Sequence, residues 1–586
     1  MIQMSWLLRA AVLSACLFPL PKMAVAGGDS PGITLFFNAQ VFTAEPDRPY
    51  AEAVAVDGDR ILAVGALTEV ERAAGSSARR VDLKGKFLMP GILDAHAHPI
   101  DGGLELISAS FPDTRDSVPA LKEYVERQLQ TGKSRRGDTL VVYDLDIGFW
   151  SHLDEIKAAF DNGPSSRQAI VLYGSDGHTA WASRPALTHA GITAKFIRGI
   201  ASADRHYYGY DAAFNPNGFL VDAGKTKLDQ SLPDPSPATM LEAARAAIHY
   251  MNGMGITGWL DAAVSGVVGG STPLTANTLG NIPAYRALAQ RGELSAHVVA
   301  YPVVQPDLGN QQIAVVEYLR DQSKDIENFS IPGLKVFADG VVEIPSQTAA
   351  LTKPYRNNGR VATPFFDAQK MNALVAEAYR RGLTVHIHAI GDLAVKESLD
   401  AFEAARTANP STKLPFVMTH EQFVDPEDIP RFARLHVISA LQLLWAVADP
   451  STNEQVKPYI DPGIYRWMYP ARSILDSGGE IAGASDWPVS TANPFDAIFQ
   501  AETRSGPQGV LDASQRMPRA AMLFAYTRHS AEVLDQLSEI GTIAPGKRAD
   551  LALIDRDVLT IPADELRKAS VVFTMFGGKI VYGQEP

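Results

Sequence analysis

The chain has 586 residues, of which 46% are apolar and 20% charged, with 46 glycines and 38 prolines. This is ordinary globular usage, so the composition excludes a disordered or fibrous protein and predicts a large buried core. The formal net charge is −13, and basic residues form no run longer than a pair such as Arg79-Arg80. A nucleic-acid or anionic-membrane partner is therefore not expected, because phosphate binding is driven by clustered Lys and Arg.

The first 26 residues have the pattern of a signal peptide. Arg9 precedes the apolar residues 10–20, and the small residues 24–26 stand before Gly27, where we predict that the mature chain begins. The apolar stretch has about 11 residues, whereas a membrane span needs about 20, so an exported, periplasmic or secreted protein without an integral span is expected. An alternative is that residues 13–16, Leu-Ser-Ala-Cys, form a bacterial lipoprotein box that anchors the protein through Cys16.

Cys16 is the only cysteine, so a chain that begins at Gly27 contains none. Disulfides, thiol nucleophiles and Cys-ligated zinc are thereby excluded. Any metal site would have to use histidine, carboxylate or a less usual ligand.

Short β segments flank a long middle. Residues 33–42 and 51–64 are rich in Val, Ile, Phe and Ala, and Asp57-Gly58-Asp59 between apolar runs indicates a hairpin turn. Near the end of the chain, residues 549–554 and 571–582 have the same character. The two terminal segments could pair with each other.

The middle of the chain alternates apolar runs with amphipathic stretches. Helical patterns cover residues 368–381 and 394–406, and the strand-like runs are 140–142, 169–172, 258–260, 333–337, 383–388, 416–420, 437–441 and 480–484. Such alternation predicts a parallel sheet, either open or closed into a barrel. Residues from about 100 to 237 fit worst, and we expect them to form a loop-rich insertion that covers the site.

Several of the predicted strands end in residues that bind metals. His96 and His98 end an apolar run, and alternate side chains of a strand share a face, so both imidazoles can point at one metal. By itself, His-x-His is also a common polar strand end. His388, His420 and Asp486 follow later runs, and sites in parallel α/β folds assemble where strands end. Four histidines and one aspartate at that face make a plausible metal centre.

Six motifs carry a specific resemblance. They are residues 90–98, 333–340, 388–392 (His-Ala-Ile-Gly-Asp), 419–420, 485–488 (Ser-Asp-Trp-Pro) and 541–550. They resemble the amidohydrolase superfamily and are most similar to its amidohydrolase-3 branch, the YtcJ-like metal-dependent hydrolases that include N-substituted formamide deformylases. The resemblance spans essentially the whole mature chain, in the right order.

This resemblance implies a distorted (β/α)8 TIM barrel at residues 89–540, with the insertion, at about 100–237, after its first strand. The terminal segments 27–88 and 541–586 would form one composite β-sandwich. The implied ligands are His96 and His98 from the first barrel strand, Lys335 from the fourth, His388 from the fifth, His420 from the sixth and Asp486 from the eighth. Zinc suits this set, and iron or manganese would fit the same ligands.

Lys335 needs a separate argument, because an ammonium has no lone pair for a metal. If burial beside two cations keeps the amine neutral, it can capture CO2 as a carbamate that bridges two metals. The alternative is an ordinary lysine paired with Asp339 or Glu343, in which case the site holds one metal.

Other residues near these motifs have less defined roles. His178 lies in an Asp-Gly-His sequence like one in the branch, and it could donate a hydrogen bond to the substrate or an oxyanion, or be a loop histidine in solvent. His386 should lie one layer below His388, as a packed residue or one that contacts a ligand. Residues 341–347 depart from the Gly-Ser-Arg-like stretch of many relatives. Trp445 and Trp487 hint at an aromatic wall, although a core role is the simpler interpretation.

The expected activity is metal-dependent hydrolysis of a small-molecule substrate. One or two metal ions would lower the pKa of a water and polarise the scissile carbonyl, and Asp486 would carry the proton to the leaving amine. The expected bond is a non-peptide C–N bond in an amide, formamide, carbamate or cyclic amide. The alternatives are an ester or lactone hydrolase, and a catalytically silent relative that binds a small molecule or another protein.

Overall fold

A computed structural model describes residues 32–111, 117–265 and 279–586. Its α-helices are Leu67–Ala74, Pro99–Leu106, Val118–Thr131, Leu153–Asp161, Arg184–His189, Ala194–Gly199, Ala223–Asp229, Pro237–Gly253, Ile282–Gln290, Gln311–Gln322, Ala368–Arg380, Asp392–Ala408, Ile429–Leu435, Pro462–Tyr465, Ala471–Asp476, Pro494–Thr503, Arg519–Phe524, Ser530–Val533 and Ala563–Leu566. Within the described ranges, none of these helices has the length and apolar character needed to cross a membrane. The predicted signal peptide and the lipoprotein box lie outside the described residues.

One sheet joins the two ends of the chain, and we call it the terminal sheet. Its strands are Thr34–Phe42, Tyr50–Ala51, Ala53–Asp57, Arg60–Gly65, Arg79–Pro90, Leu551–Ile554, Val571–Phe576 and Lys579–Gly583. Leu551–Ile554 pairs antiparallel with the end of Arg79–Pro90, so Leu553 lies opposite Leu88. The hairpin at Asp57 forms as expected, with Asp57 opposite Arg60. The domain boundaries assigned from the sequence stay a prediction.

Two parallel sheets contain the strands at whose ends the candidate metal ligands were predicted. The first parallel sheet contains Ile92–Ala97, Ile256–Ser265, His297–Pro302 and Phe329–Ser330, and the second contains Gly333–Phe337, Thr384–Ala389, Phe416–His420, Val437–Leu441 and Glu480–Gly483. Helices connect most successive strands, as the apolar periodicity predicted. All five strands of the second sheet were predicted to within one residue, whereas His297–Pro302 was missed. The chain is thus an α/β protein with mixed sheets.

Buried polar contacts tie these sheets together. Asp94 of the first parallel sheet accepts hydrogen bonds from the hydroxyl (2.5 Å) and the backbone N–H (3.0 Å) of Ser485, which follows the last strand of the second. His297 Nε2 lies 2.8 Å from Asp550 Oδ2, next to the terminal sheet. Because an unpaired buried polar group is costly, these pairs favour one relative placement of the sheets.

Seven described strands between Ala109 and Val221 form a further sheet, which we call the insertion sheet. Its strands are Ala109–Ser110, Arg135–Arg136, Thr139–Leu145, Ile170–Gly174, Thr179–Ala182, Tyr208–Tyr210 and Pro216–Val221. Alternate residues of Thr139–Leu145 enter two different apolar clusters, with Leu140 and Val142 on one face and Val141 and Tyr143 on the other. The runs 140–142 and 169–172 were predicted as strands and correspond to Thr139–Leu145 and Ile170–Gly174, but the expectation that this region is rich in loops was wrong. Both faces of the sheet are covered, so its strands are short apolar runs without alternation.

Candidate metal centre

Three side chains predicted as ligands come together at the strand ends. One ligand atom each of His96, His420 and Asp486 lies within 4.8 Å of the other two, and all three residues are buried. Asp486 follows the strand Glu480–Gly483 in a left-handed turn (φ 57°), and its backbone N–H donates to the His96 carbonyl at 2.8 Å. This bond fixes the carboxylate beside the end of Ile92–Ala97.

The remaining predicted histidine ligands surround this group. His98 Nε2 lies 3.1 Å and His96 Nε2 3.2 Å from the same oxygen of Asp486. The ring of His388 lies 4.5 Å, centre to centre, from that of His420. The four imidazoles and the carboxylate therefore form one cluster, as the strand-end argument predicted.

Two of the rings are oriented by a hydrogen bond on one of their nitrogens. His388 Nε2 is 3.0 Å from the carbonyl of Gly340, and His420 Nδ1 is 2.9 Å from Oε1 of Gln442. Gln442 is itself held by its amide, which donates to Thr419 Oγ1 at 3.2 Å. Metal-binding histidines usually donate their second nitrogen in this way, which leaves the opposite nitrogen for the metal.

The charge of Asp486 is stabilised by its neighbours. Burial alone would raise the pKa of this carboxyl, but the contact with His98 and the positive charge of nearby His and Lys side chains outweigh burial and hold the pKa below its usual value. For His98, burial lowers the pKa, yet Asp486 more than compensates and raises it. An ionised carboxylate beside imidazole is the state that binds a metal.

Lys335 is fully buried in the middle of Gly333–Phe337, an edge strand of the second parallel sheet. Its Nζ has no hydrogen-bond partner within the described part of the chain, and it lies 4.7 Å from the centre of the Phe337 ring. Burial lowers the pKa of this amine to about 7. The alternative of a pair with Asp339 or Glu343 is not realised, because Nζ has no hydrogen-bond partner among the described residues. The Asp339 carboxylate instead accepts three backbone N–H groups, from Ala350, Ile390 and Gly391.

His178 reaches the cluster from the insertion sheet. Its ring centre is 5.6 Å from that of His388, and its side chain is only 12% exposed, so it is not a loop histidine in solvent. His178 Nδ1 lies 2.7 Å from Oδ1 of Asp222, whose side chain is fully buried. Burial lowers the pKa of His178, but Asp222 outweighs it and raises the pKa above the ordinary value.

Asp222 adopts a strained backbone conformation and packs tightly. Its φ is 45°, a region that non-glycine residues rarely enter and that clusters at functional sites. A Cβ at Gly340 would lie 2.8 Å from Oδ2 of Asp222 and 2.0 Å from Thr348 Oγ1, so only glycine fits at this position. The Asp222 side chain, which follows the insertion sheet, therefore packs closely against the segment after Asp339.

The donor set fits a divalent metal ion. It combines imidazole nitrogens, one ionised carboxylate and a buried amine that lacks a hydrogen-bond partner among the described residues. Zinc, iron and manganese all accept nitrogen and oxygen ligands of this kind. The residues present can hold one ion directly, and a second if Lys335 supplies an oxygen ligand.

Comparison with known proteins agrees with this geometry. The model of the amidohydrolase family matches residues 79–582. The chain belongs to the amidohydrolase family. It is 26% identical to N-substituted formamide deformylase of Arthrobacter pascens over 94% of this chain and 98% of that protein, and 25% identical to putative amidohydrolase YtcJ of Bacillus subtilis over 92% and 98%. The resemblance stated from the motifs is thereby confirmed.

A solved structure supports the fold of this amidohydrolase. An uncharacterised metal-dependent hydrolase of Pyrococcus horikoshii superposes with a TM-score of 0.69 at 21% identity, and the match covers 91% of this chain and 99% of that one. At this level of identity the similarity concerns the fold alone.

Sequence reasoning missed two functional candidates of this amidohydrolase, Gln442 and Asp222. Gln442 directly follows the strand Val437–Leu441, so the rule that found Asp486, a polar residue at a strand end, would also have found it. Asp222 follows Pro216–Val221, a strand of the insertion that was not predicted.

The two tryptophans considered for an aromatic wall differ in their surroundings. Trp445 stacks on His420 with ring centres 5.7 Å apart, whereas Trp487 stacks on Tyr250 in the core.

Proposed function

We propose that this amidohydrolase is an exported enzyme that hydrolyses a non-peptide C–N bond with the help of bound divalent metal, zinc being the best fit. The observation that carries the proposal is the convergence of His96, His420 and Asp486 within 4.8 Å of one another in buried surroundings. Burying these polar and charged side chains together costs free energy, although they lie far apart in the sequence. A bound cation would offset that cost.

The proposed scaffold is a (β/α)8 barrel made of the two parallel sheets. Two contacts between the sheets support closure. Val303, just after the strand His297–Pro302, forms a parallel β-bridge with Lys335 of the second sheet. At the opposite edges, the backbone N–H of Asp486 donates a hydrogen bond to the His96 carbonyl. A closed barrel would bring all the candidate ligands to one rim, because parallel strands end on the same face.

Each side chain has a proposed part. His96, His98, His388, His420 and Lys335 hold the metal. When bound, the metal supplies a water of lowered pKa and polarises the substrate carbonyl. Asp486, whose pKa is held below its usual value and which contacts two imidazoles, would accept a proton from the attacking water and deliver it to the departing amine nitrogen.

Lys335 is proposed to carry a carbamate. The lone pair of Nζ forms a C–N bond to CO2, one C–O π bond opens to leave the charge on oxygen, and one N–H proton passes to water, which converts the amine into a carbamate without any oxidant or reductant. A pKa of about 7 means that the neutral amine, the form that reacts, is well populated at neutral pH. The carbamate would carry two oxygen atoms, which could serve as ligands for a pair of metals.

His178 is proposed to stabilise the substrate carbonyl oxygen as negative charge develops on it. Nδ1–H donates to Asp222, which raises the pKa of His178 and favours the protonated ring. In that form Nε2–H is the second donor, and a positioned N–H donor beside a developing oxyanion is an effective catalytic group. The insertion sheet would thus supply one catalytic residue to a site otherwise built from the two parallel sheets.

The test is substitution of the proposed acid–base group. A panel of N-substituted formamides, amides, carbamates, cyclic amides and esters identifies a turned-over substrate for the full chain. Asp486→Asn should then lower kcat by about 10²–10⁴-fold, the usual contribution of a general acid–base residue. Asp476→Asn, at an exposed carboxylate paired with Arg472, is the matched control and should not change kcat.

Three results would contradict the proposal. Unchanged kcat in Asp486→Asn removes Asp486 from the mechanism. Turnover of esters alone favours the esterase or lactonase alternative, since the same site attacks either carbonyl. No turnover of any class by metal-loaded protein favours a silent binding protein.

Export is tested separately. Expression with the complete leader in a Gram-negative host should give a periplasmic chain whose N-terminal sequence begins at Gly27. Retention of the full-length chain in the cytoplasm would contradict export, and membrane association that Cys16→Ala abolishes would establish the lipoprotein alternative.

A further inference from the structure

A fifth imidazole, that of His386, lies directly beneath the ligand cluster. His386 is in the middle of the strand Thr384–Ala389, two residues before His388, and is fully buried. Its Nε2 is 2.6 Å from Nδ1 of His96, and the two ring centres are 4.8 Å apart. This is a hydrogen bond between two histidine rings, from neighbouring parallel sheets.

The proton in this bond has one possible location when His96 binds a metal. A neutral imidazole carries a single ring proton, and the nitrogen that coordinates a metal must be unprotonated. His96 Nε2 is the atom that faces Asp486, at 3.2 Å, so the proton of His96 is then on Nδ1. Nδ1–H must donate, and His386 Nε2 is the atom placed to accept.

We propose that His386 is a positioning residue of the metal centre: by accepting a hydrogen bond from Nδ1–H of His96, it holds the His96 ring in the tautomer and orientation in which Nε2 binds the metal. This inference rests on the proposed function, because it requires that His96 is a metal ligand. Carbonyl and carboxylate oxygens usually fill this role, as Gly340 and Gln442 oxygens do for His388 and His420.

The surroundings of His386 show that this contact is specific. Nδ1 of His386 has no hydrogen-bond partner in residues 32–111, 117–265 and 279–586, so the His96 bond is the one hydrogen bond of its side chain there. The ring centre of Tyr301 is 6.0 Å from that of His386, but its hydroxyl is hydrogen-bonded to Thr384 Oγ1 at 2.6 Å. Replacing His386 therefore removes the acceptor from His96 and breaks no other hydrogen bond in that part of the chain.

The experiment measures zinc affinity on the full chain, without substrate, by competition with a chromophoric chelator. His386→Met keeps a buried side chain of similar length without an acceptor and should weaken zinc binding about 10- to 100-fold, the usual effect of losing such a partner. His386→Gln can place its amide oxygen near the position of Nε2 and should recover most of that loss. Tyr301→Phe, which removes a hydroxyl from the same buried layer, should bind zinc like the wild type.

The outcomes separate this inference from the proposed function. A wild-type chain that binds no zinc contradicts the metal centre itself. A wild-type chain that binds zinc, together with a Met variant that binds it equally well, refutes the role of His386. Equal losses in the Met and Gln variants also refute it, because then the imidazole acts through its shape. Thermal unfolding of the metal-free proteins checks that each variant is folded, and His386→Asn replaces Gln if that variant is not.

Discussion

The carboxylate of Asp339 organises the segment that carries His388, and its replacement by asparagine should destabilise the protein measurably. Oδ1 accepts the N–H of Ile390 at 2.9 Å, and Oδ2 accepts those of Ala350 at 2.8 Å and Gly391 at 2.9 Å. Asp339 is fully buried, so water cannot replace these bonds. Asparagine has one acceptor oxygen and one NH2 group at the same two positions.

The loss can be counted for both orientations of the amide. If the oxygen replaces Oδ2, the N–H of Ile390 loses its acceptor and faces another donor; if it replaces Oδ1, the N–H groups of Ala350 and Gly391 do. One unsatisfied buried donor costs about 1–3 kcal/mol, so the free energy of unfolding should fall by at least ~1 kcal/mol. Since Ile390 and Gly391 lie only two and three residues after His388, metal affinity should fall as well.

Urea unfolding followed by tryptophan fluorescence measures the change. The matched control is Asp211→Asn, since Asp211 also accepts two backbone N–H groups, from Ala213 and Asn215, but is exposed, so water can take over. It should cost less than about 0.5 kcal/mol, as surface substitutions usually do. A loss as small in Asp339→Asn as in the control would refute the reasoning.

Three further predictions concern Lys335, Glu105 and Gly102. Lys335→Met, which removes the amine, should lower the metal content by one ion per chain in elemental analysis, whereas Lys335→Glu should retain it; two ions in the Met variant would contradict a carbamate bridge. Glu105 is half-buried, and this burial together with the nearby carboxylates of Asp144 and Asp101 raises its pKa from 4.5 to about 8. The folded chain then holds a proton that the unfolded chain loses, so stability should fall as pH rises between these values. Glu105→Gln should therefore raise Tm at pH 8.5 but not at pH 4, and equal shifts at both would contradict the assignment. A Cβ at Gly102 would lie 2.7 Å from the Trp487 indole, so Gly102→Ala should lower Tm, whereas Gly199→Ala, with open space at its Cβ, should not; equal Tm values in the two variants would argue against this packing.

The first and last residues of many strands were predictable, because nearby residues in the sequence determine them. Gly333–Phe337, Phe416–His420 and Val437–Leu441 have the predicted bounds, since each is a short apolar run flanked by residues that interrupt it. His297–Pro302 was missed although it is apolar and β-branched, because a proline inside such a run argues against a strand. Strand ends, in turn, placed the candidate ligands.

The orientation of the site could not be predicted in the same way. The bond between His96 and His386 joins residues 290 positions apart, and that between His178 and Asp222 depends on a sheet whose strands carry no alternation. Such contacts depend on how packed layers meet to within a fraction of an ångström, which apolar periodicity does not encode. Sequence therefore indicated which residues form the site, and the packing of the layers determines which ring nitrogen each one presents.

Metal content tests the central claim most directly. Mature protein purified without chelator and supplied with bicarbonate should contain about two divalent ions per chain by elemental analysis, as a carbamate-bridged pair requires. About one ion would retain the metal-dependent hydrolase and leave Lys335 an ordinary buried lysine. No bound metal after reconstitution with zinc, iron or manganese would contradict the metal centre and, with it, the proposed hydrolase.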